Sequence, residues 1–255
     1  MNDELTATTD RFRLVVPLEY ASSLPTGAAK QAVETLGRRI ANDRYRPEDT
    51  MPTEAELAQS LGVSRATVRD AVKVLTGKGM VRTARRYGTR VRPVEEWNLL
   101  DGDVVGWHAP EHPRIKRMFW ETTELRVNLE PAAAALAAER ATDEQVAAIL
   151  NAAHAIAPET SDVQSLFTAD CTFHVTVLDA TCNNVMRQLR QIVLTMLRIS
   201  YELGVIAVEF ADVDRAGHIA VAKAIEARAP DRARRAMAEM LNRNTQTARH
   251  MVEMR

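Results

Sequence analysis

The sequence predicts a mainly α protein, an N-terminal winged helix-turn-helix followed by a C-terminal all-α helical bundle. Three observations carry this reading. Between residues 28 and 92, three helical periodicities are followed by two short β-like pieces. From about residue 113 onward only helical periodicity remains, with ample Leu, Ala, Ile and Val for a core. Charge is unevenly spread: residues 60–92 hold nine Lys/Arg against one acid, Asp70, in a 255-residue chain of net charge −1. A single-sign field of that density is costly unless it faces a polyanion, which points to nucleic acid.

The elements follow in order. Residues 1–26 form an arm, interrupted by Pro17 and Pro25, with one extended piece over Phe12–Leu18. Ala32, Val33, Leu36 and Ile40 recur at helical steps, predicting a helix over 28–42. A Pro- and acid-rich connector spans 44–52. Thr53-Glu54-Ala55-Glu56 has the form of a capping box, opening a short helix that ends at Leu61. Gly62 suits the left-handed position after it. Ser64 is the next N-cap, for a helix from Arg65 to Gly77 with Val68, Ala71, Val72 and Leu75 inside. The tight turn between these helices has helix-turn-helix spacing. Strands at 80–83 and 89–92 flank the basic tip Ala84-Arg85-Arg86-Tyr87-Gly88, completing a wing.

The winged domain thus covers 27–95, and residues 96–112 read as a linker. The helical domain covers 113–255. Its helices are expected at 115–140, from Thr142 to 156, from Ser161/Asp162 to 180, from Asn183/Asn184 to 201, at 212–228 and at 231–254.

Composition narrows the function. No apolar run reaches the ~20 residues of a membrane span. The start Met1-Asn2-Asp3-Glu4 has neither the basic nor the apolar part of a secretion signal. Cys171 and Cys182 are too few for a disulfide framework or a CxxC zinc site, and a reduced cytoplasmic home fits.

In a helix-turn-helix the second helix enters the major groove with its N-terminal residues at base edges. Those positions are Ser64, Arg65, Thr67 and Arg69, with Lys73 continuing the face toward the backbone. Arg65 and Arg69 lie one turn apart and can pair bidentately with guanine. Arg85, Arg86 and Gly88 at the wing tip suit the minor groove.

Two pairs mark the helical half. Arg126 and Glu130 are four residues apart, and Arg126 lies among Leu125, Val127 and Leu129. A buried Arg needs a partner, which is either Glu130 or an incoming carboxylate. Asp170 and His174 have the same spacing, which serves a helical ion pair or two metal ligands. His218, within Ala216–Val221, is the best third ligand.

Residues Met51-Pro52-Thr53-Glu54, Glu56-Leu57-Ala58, Leu61 to Arg65, Thr67 to Ala71, Leu75 and Gly79 resemble the DNA-binding signature of GntR-family bacterial transcription regulators. Glu48 stands where the family usually has Gly, and Met51 where it has Leu. The helical half resembles the ligand-sensing FCD domain of the FadR subgroup. That resemblance implies a divalent metal, zinc above all, on Asp170, His174 and His218. The fourth family ligand is replaced by Met240, a poor donor to Zn²⁺, so water or effector would complete the site. Glu96–Trp107, Arg126, Glu130-Pro131, the Asp-x3-His and Met240 resemble the branch that governs galactonate-type sugar-acid operons. It implies a sugar-acid effector whose carboxylate meets the metal, His174 or Arg126, with Asn183 and Arg198 toward its hydroxyls.

The expected protein is therefore no enzyme but a homodimeric repressor. It binds operator double-stranded DNA, and a small carboxylate releases it. Lactate-, uronate- or acyl-type effectors are alternatives within the family. A metal-dependent enzyme lacks a nucleophile or general base beside its ligands. An architectural DNA binder has no need of a buried Arg/Asp/His set.

Overall fold

The computed structural model describes residues 14–17, 24–84, 87–156, 162–202 and 211–253, with side chains at 202, 211–214, 243–244 and 246–253 outside the description. Two compact units emerge, one from the described residues of 21–115 and one from those of 1–20 and 116–255.

The first unit opens with α1 (Gly27–Ala41), α2 (Glu54–Leu61) and α3 (Arg65–Gly77). Local signals account for their ends. Thr53 Oγ1 accepts from the Glu56 amide, and the Glu56 carboxylate accepts from the Thr53 amide at 2.8 Å. Gly62 takes φ 65°. Ser64 Oγ accepts from the Thr67 amide at 3.0 Å. Val33, Leu36, Ile40, Leu57, Val68 and Leu75 meet in the core. Strands β1 (Val81–Ala84) and β2 (Gly88–Val91) pair antiparallel, with Val81 opposite Val91 and Ala84 opposite Gly88. The connector joins the same sheet, since the Met51 amide donates to the Thr89 carbonyl and the Glu48 amide to that of Val91.

The segment 96–112, read from the sequence as a linker, belongs to this unit. It contains α4 (Gly102–Gly106), and Trp97, Val104 and Trp107 sit in the same core. Trp107 lies flat against α1 at Gly37. A Cβ there would meet the indole at 2.4 Å, so only glycine permits the contact. Lys78, at the end of α3, is buried between Asp101 (2.6 Å) and Asp103 (2.8 Å). Arg114 donates to Asp43 and to the Ala41 carbonyl. Two separate contacts thus hold this segment to α1 and α3, and Arg114 just beyond it adds a third near the end of α1.

Every regular element described in the second unit is a helix: α5 (Pro113–Arg140), α6 (Asp143–Ala155), α7 (Val163–Ala180), α8 (Asn184–Gln188), α9 (Arg190–Glu202), α10 (Ala211–Glu226) and α11 (Pro230–Glu253). One helix was expected from Asn184 to Tyr201, but Leu189 divides it in two. Thr142 and Gln145 form the capping box of α6, and Asp162 caps α7. Helix α7 is buried almost all round, which is the signature of a central helix. Phe167 and Phe173 are fully enclosed, and burying each contributes about 2–3 kcal/mol. Its remaining stripe is Gln164, Thr168, Thr172 and Thr176. Each Thr hydroxyl there donates to the carbonyl four residues earlier. Ala133, Ala134, Ala137 and Ala138 give α5 a small-residue face in the core.

Of the predicted arm, Leu14–Pro17 falls within the described residues. Leu14 is buried in the helical core, and Gln164 clamps Val15 by both backbone groups at 2.8 and 2.9 Å. No helix among the described residues is long and apolar enough to cross a membrane.

Candidate DNA interface and effector site

Helix α3 is amphipathic. Val68, Ala71, Val72 and Leu75 face inward, leaving Arg65, Ala66, Arg69, Asp70 and Lys73 exposed. Ser64 and Thr67 lie side by side at the start of this face, their hydroxyls 2.8 Å apart. The exposed cations differ in what they meet. Arg69 pairs with Glu54 of α2, and Lys73 with Asp70 at 3.0 Å. Arg65 makes no ion pair among the described residues. The acidic partner of Arg69 lies fifteen residues away and carried no signal in the sequence beyond its place at the start of α2.

The wing places Arg82 directly opposite Arg90. Like charges so placed repel. Glu48 answers them, its Oε2 lying 3.4 Å from Arg82 and 3.5 Å from Arg90. Glu48 itself has φ 71°, which explains why glycine is usual there. The departure from glycine keeps the left-handed backbone at a cost of about 1 kcal/mol and gains a carboxylate between two arginines. At the tip, Gly88 has φ 71°, with the Thr50 methyl 3.8 Å from where a Cβ would sit, and Tyr87 is 79% exposed. Arg85 and Arg86 lie outside the described residues.

In the helical unit the structure brings Arg126, Glu130, Asp170, His174 and His218 into one buried chain of charged and polar groups, none more than 5% exposed. Arg126 Nε donates to Glu130 Oε1 at 2.5 Å. His174 Nδ1 lies 2.5 Å from Glu130 Oε2, an ion-pair contact. His174 Nε2 is 3.1 Å from Asp170 Oδ1 and His218 Nε2 is 3.2 Å from the same oxygen. The two imidazoles, 5.4 Å apart, pack edge-on around Phe173.

Burial alone would raise both carboxyl groups and lower the imidazole, and neighbouring charges reverse each shift. Arg126 and then His174 hold Glu130 down to about 2. Hydrogen bonds from His174 and His218 lower Asp170. The Glu130 charge lifts His174 to about 9. Arg126⁺, Glu130⁻, His174⁺ and Asp170⁻ therefore balance. Burial pushes the Cys171 thiol up, with Asp170 adding to the rise, while Arg126 and Arg198 oppose it.

The ligating atoms of Asp170, His174 and His218 all lie within 4.8 Å of one another. Two imidazoles and a carboxylate converging on one point form a donor set of the kind zinc takes. Glu130, against the other nitrogen of His174, stands where metal-bound histidines usually have an orienting carboxylate. The residues present fit such an ion. Met240 is buried in the core of the same bundle. Asn183 is outside the cluster. It lies past the end of α7, about two and a half turns beyond His174, and its Oδ1 caps α8. The sequence offered Glu130 only as a partner for Arg126; its contact with His174 joins residues on different helices.

Residues 28–91 match the bacterial regulatory proteins of the gntR family, and residues 121–243 match the FCD domain. The galactonate operon transcriptional repressor of Escherichia coli K12 is 34% identical over 170 residues, 67% of this chain and 74% of that one. The chain is a GntR-family transcription regulator. The HTH-type transcriptional repressor NanR of Cronobacter sakazakii is also similar, 27% identical over 82% of this chain and 80% of its own. Among solved structures, that of Lar, which controls expression of the Listeria monocytogenes agr system, has a TM-score of 0.60. It is 21% identical and the match covers 89% of this chain and 98% of that one, a likeness of fold. The GntR signature and the FCD match coincide with the two units, so DNA binding and effector binding are assigned to separate parts of the chain.

Proposed function

We propose that this GntR regulator represses a sugar-acid catabolic operon and leaves its operator when an aldonate-type acid binds in the helical unit. The observation that carries the effector class is the buried chain Arg126–Glu130–His174–Asp170–His218. A guanidinium fork, two imidazoles and balanced carboxylates form a site for an anion that also carries hydroxyl groups. The similarity to a galactonate operon repressor supports the sugar-acid reading.

In this reading Ser64, Arg65, Thr67 and Arg69 face base edges. Lys73 meets the backbone, and Arg85, Arg86 and Gly88 enter the minor groove. Asp170, His174 and His218 hold a divalent ion, and Arg126 takes the effector carboxylate in competition with Glu130. When bound, the ion supplies a Lewis acid for the acid's oxygens. A homodimer presents two recognition helices to a palindrome in the cytoplasm. Release requires the acid to bind the two DNA-binding states unequally.

Calorimetric titration of the protein with galactonate, gluconate, lactate and a uronate tests the class. The reading predicts saturable binding of an aldonate that Arg126→Ala abolishes while operator affinity stays within about twofold. Equal binding by Arg126→Ala would remove that residue from the site, and binding of lactate alone would replace the sugar-acid assignment.

A further inference from the structure

Glu54 and Arg69 meet in a two-pronged contact. Arg69 Nε lies 3.3 Å from Oε1 and Nη2 lies 2.8 Å from Oε2. We propose that Glu54 is a positioning residue for operator recognition, holding Arg69 by one edge of its guanidinium and presenting the other edge to a guanine. This rests on the proposed placement of α3 in the major groove.

The geometry divides the five donors of the arginine. The Nε/Nη2 edge is spent on Glu54. The Nη1/Nη2 edge keeps coplanar donors, the fork that fits guanine O6 and N7. Glu54 is the first residue of α2, next to Thr53 inside the Thr53–Glu56 capping box, where a negative charge suits the helix N-terminus. The hydrogen bond from Arg69 lowers its carboxyl, and the charges of Arg65 and Lys73 act in the same direction. An exposed arginine without such a brace loses rotamer freedom on binding, and that loss weakens every specific contact it makes. Bracing it in the free protein removes part of the cost.

The opposing expectation is simple electrostatics. An acid near DNA repels phosphate at every sequence, so its removal would tighten binding everywhere. The two expectations differ in sign for discrimination. The probes are a duplex enriched by the wild-type protein from a random library and an unselected duplex of equal length, at one salt concentration. Wild type, Glu54→Ala, Glu54→Gln, Arg69→Ala and the Glu54→Ala/Arg69→Ala double variant are compared, with thermal unfolding as the check on folding.

Positioning predicts that Glu54→Ala loses about tenfold of the preference for the enriched duplex, the scale of one bidentate base contact, while binding to unselected DNA holds or tightens. Glu54→Gln, with one carbonyl acceptor, falls between. Arg69→Ala loses as much, and the double variant loses no more than Arg69→Ala. Full preference with uniformly tighter binding in Glu54→Ala overturns the positioning role. So do losses that add in the double variant. Full preference in Arg69→Ala shows instead that Arg69 does not read bases, and the inference falls with the placement beneath it.

Discussion

Replacing Glu130 by Gln tests whether the buried charges in the helical unit depend on one another. The substitution keeps volume and removes one negative charge between Arg126 and His174. The cluster then carries a net positive charge in a site where every member is at most 5% exposed. Arg126 cannot shed its proton. His174 can, but Glu130 is the largest of the groups that lift it to about 9, with Asp170 contributing. At pH 7, giving up the whole of that rise costs about 3 kcal/mol, at 1.36 kcal/mol for each pH unit, and losing Glu130 removes the larger part of it. Breaking a buried pair by deleting one partner costs about 3–5 kcal/mol on general grounds, so two routes agree near 3. Scanning calorimetry in the presence of chelator should show the transition of the helical unit lowered by roughly 6–12 °C. The double variant Arg126→Leu/Glu130→Leu restores charge balance, leaving His174 with Asp170, and should recover most of that loss. A Glu130→Gln transition within about 1 °C of wild type would refute the charge accounting. A double variant less stable than Glu130→Gln would also refute it.

Further outcomes follow from the same geometry. Glu48→Gly relieves a left-handed residue at φ 71° and should raise stability by about 0.5–1 kcal/mol in urea unfolding. It should also tighten binding to all DNA, because the wing arginines lose their acid; a loss of more than about 1 kcal/mol would contradict this. Burial holds His108 at about 4, with Arg114 and His112 adding to the shift. The unfolded chain therefore takes up the proton first as pH falls. Stability should be full above 6.5 and decline toward pH 4 by up to about 3 kcal/mol. His108→Phe should flatten that decline in urea unfolding at stepped pH, and an unchanged slope would reassign it. Chelated protein should take up one equivalent of zinc in competition with a coloured chelator. His218→Ala should abolish uptake and Glu130→Gln should weaken it about 10–100-fold. Less than about a tenth of an equivalent bound by wild type would end the metal assignment.

What the sequence made legible was what short-range chemistry decides. The Thr53–Glu56 box, Gly62 and Ser64 set the ends of α2 and α3 because capping acts within one turn. Asp170 and His174 were readable as neighbours because four residues make one helical turn. Long-range contacts were not readable in this way. The approach of His174 to Glu130, 44 positions away, depends on how α5 meets α7. Residues 96–112 looked like a linker because no periodicity marks them; their docking is decided by Gly37, which leaves room for Trp107. The clamp of Gln164 on Val15 spans 149 positions and has no local signature. The division of the expected 184–201 helix at Leu189 has none either, since neither glycine nor proline stands there. Glu48 is the converse case. A departure from glycine visible in the sequence acquires its reason only when Arg82 and Arg90 are seen facing each other.

The most direct test of the central claim is a gel shift at fixed salt with DNA from upstream of this protein's own operon, random competitor, and a panel of aldonates and other small acids. The account predicts a specific complex that one sugar acid dissolves in the wild type and does not dissolve in Arg126→Ala. A specific complex indifferent to every sugar acid, or one that Arg126→Ala releases as readily as wild type, would contradict it.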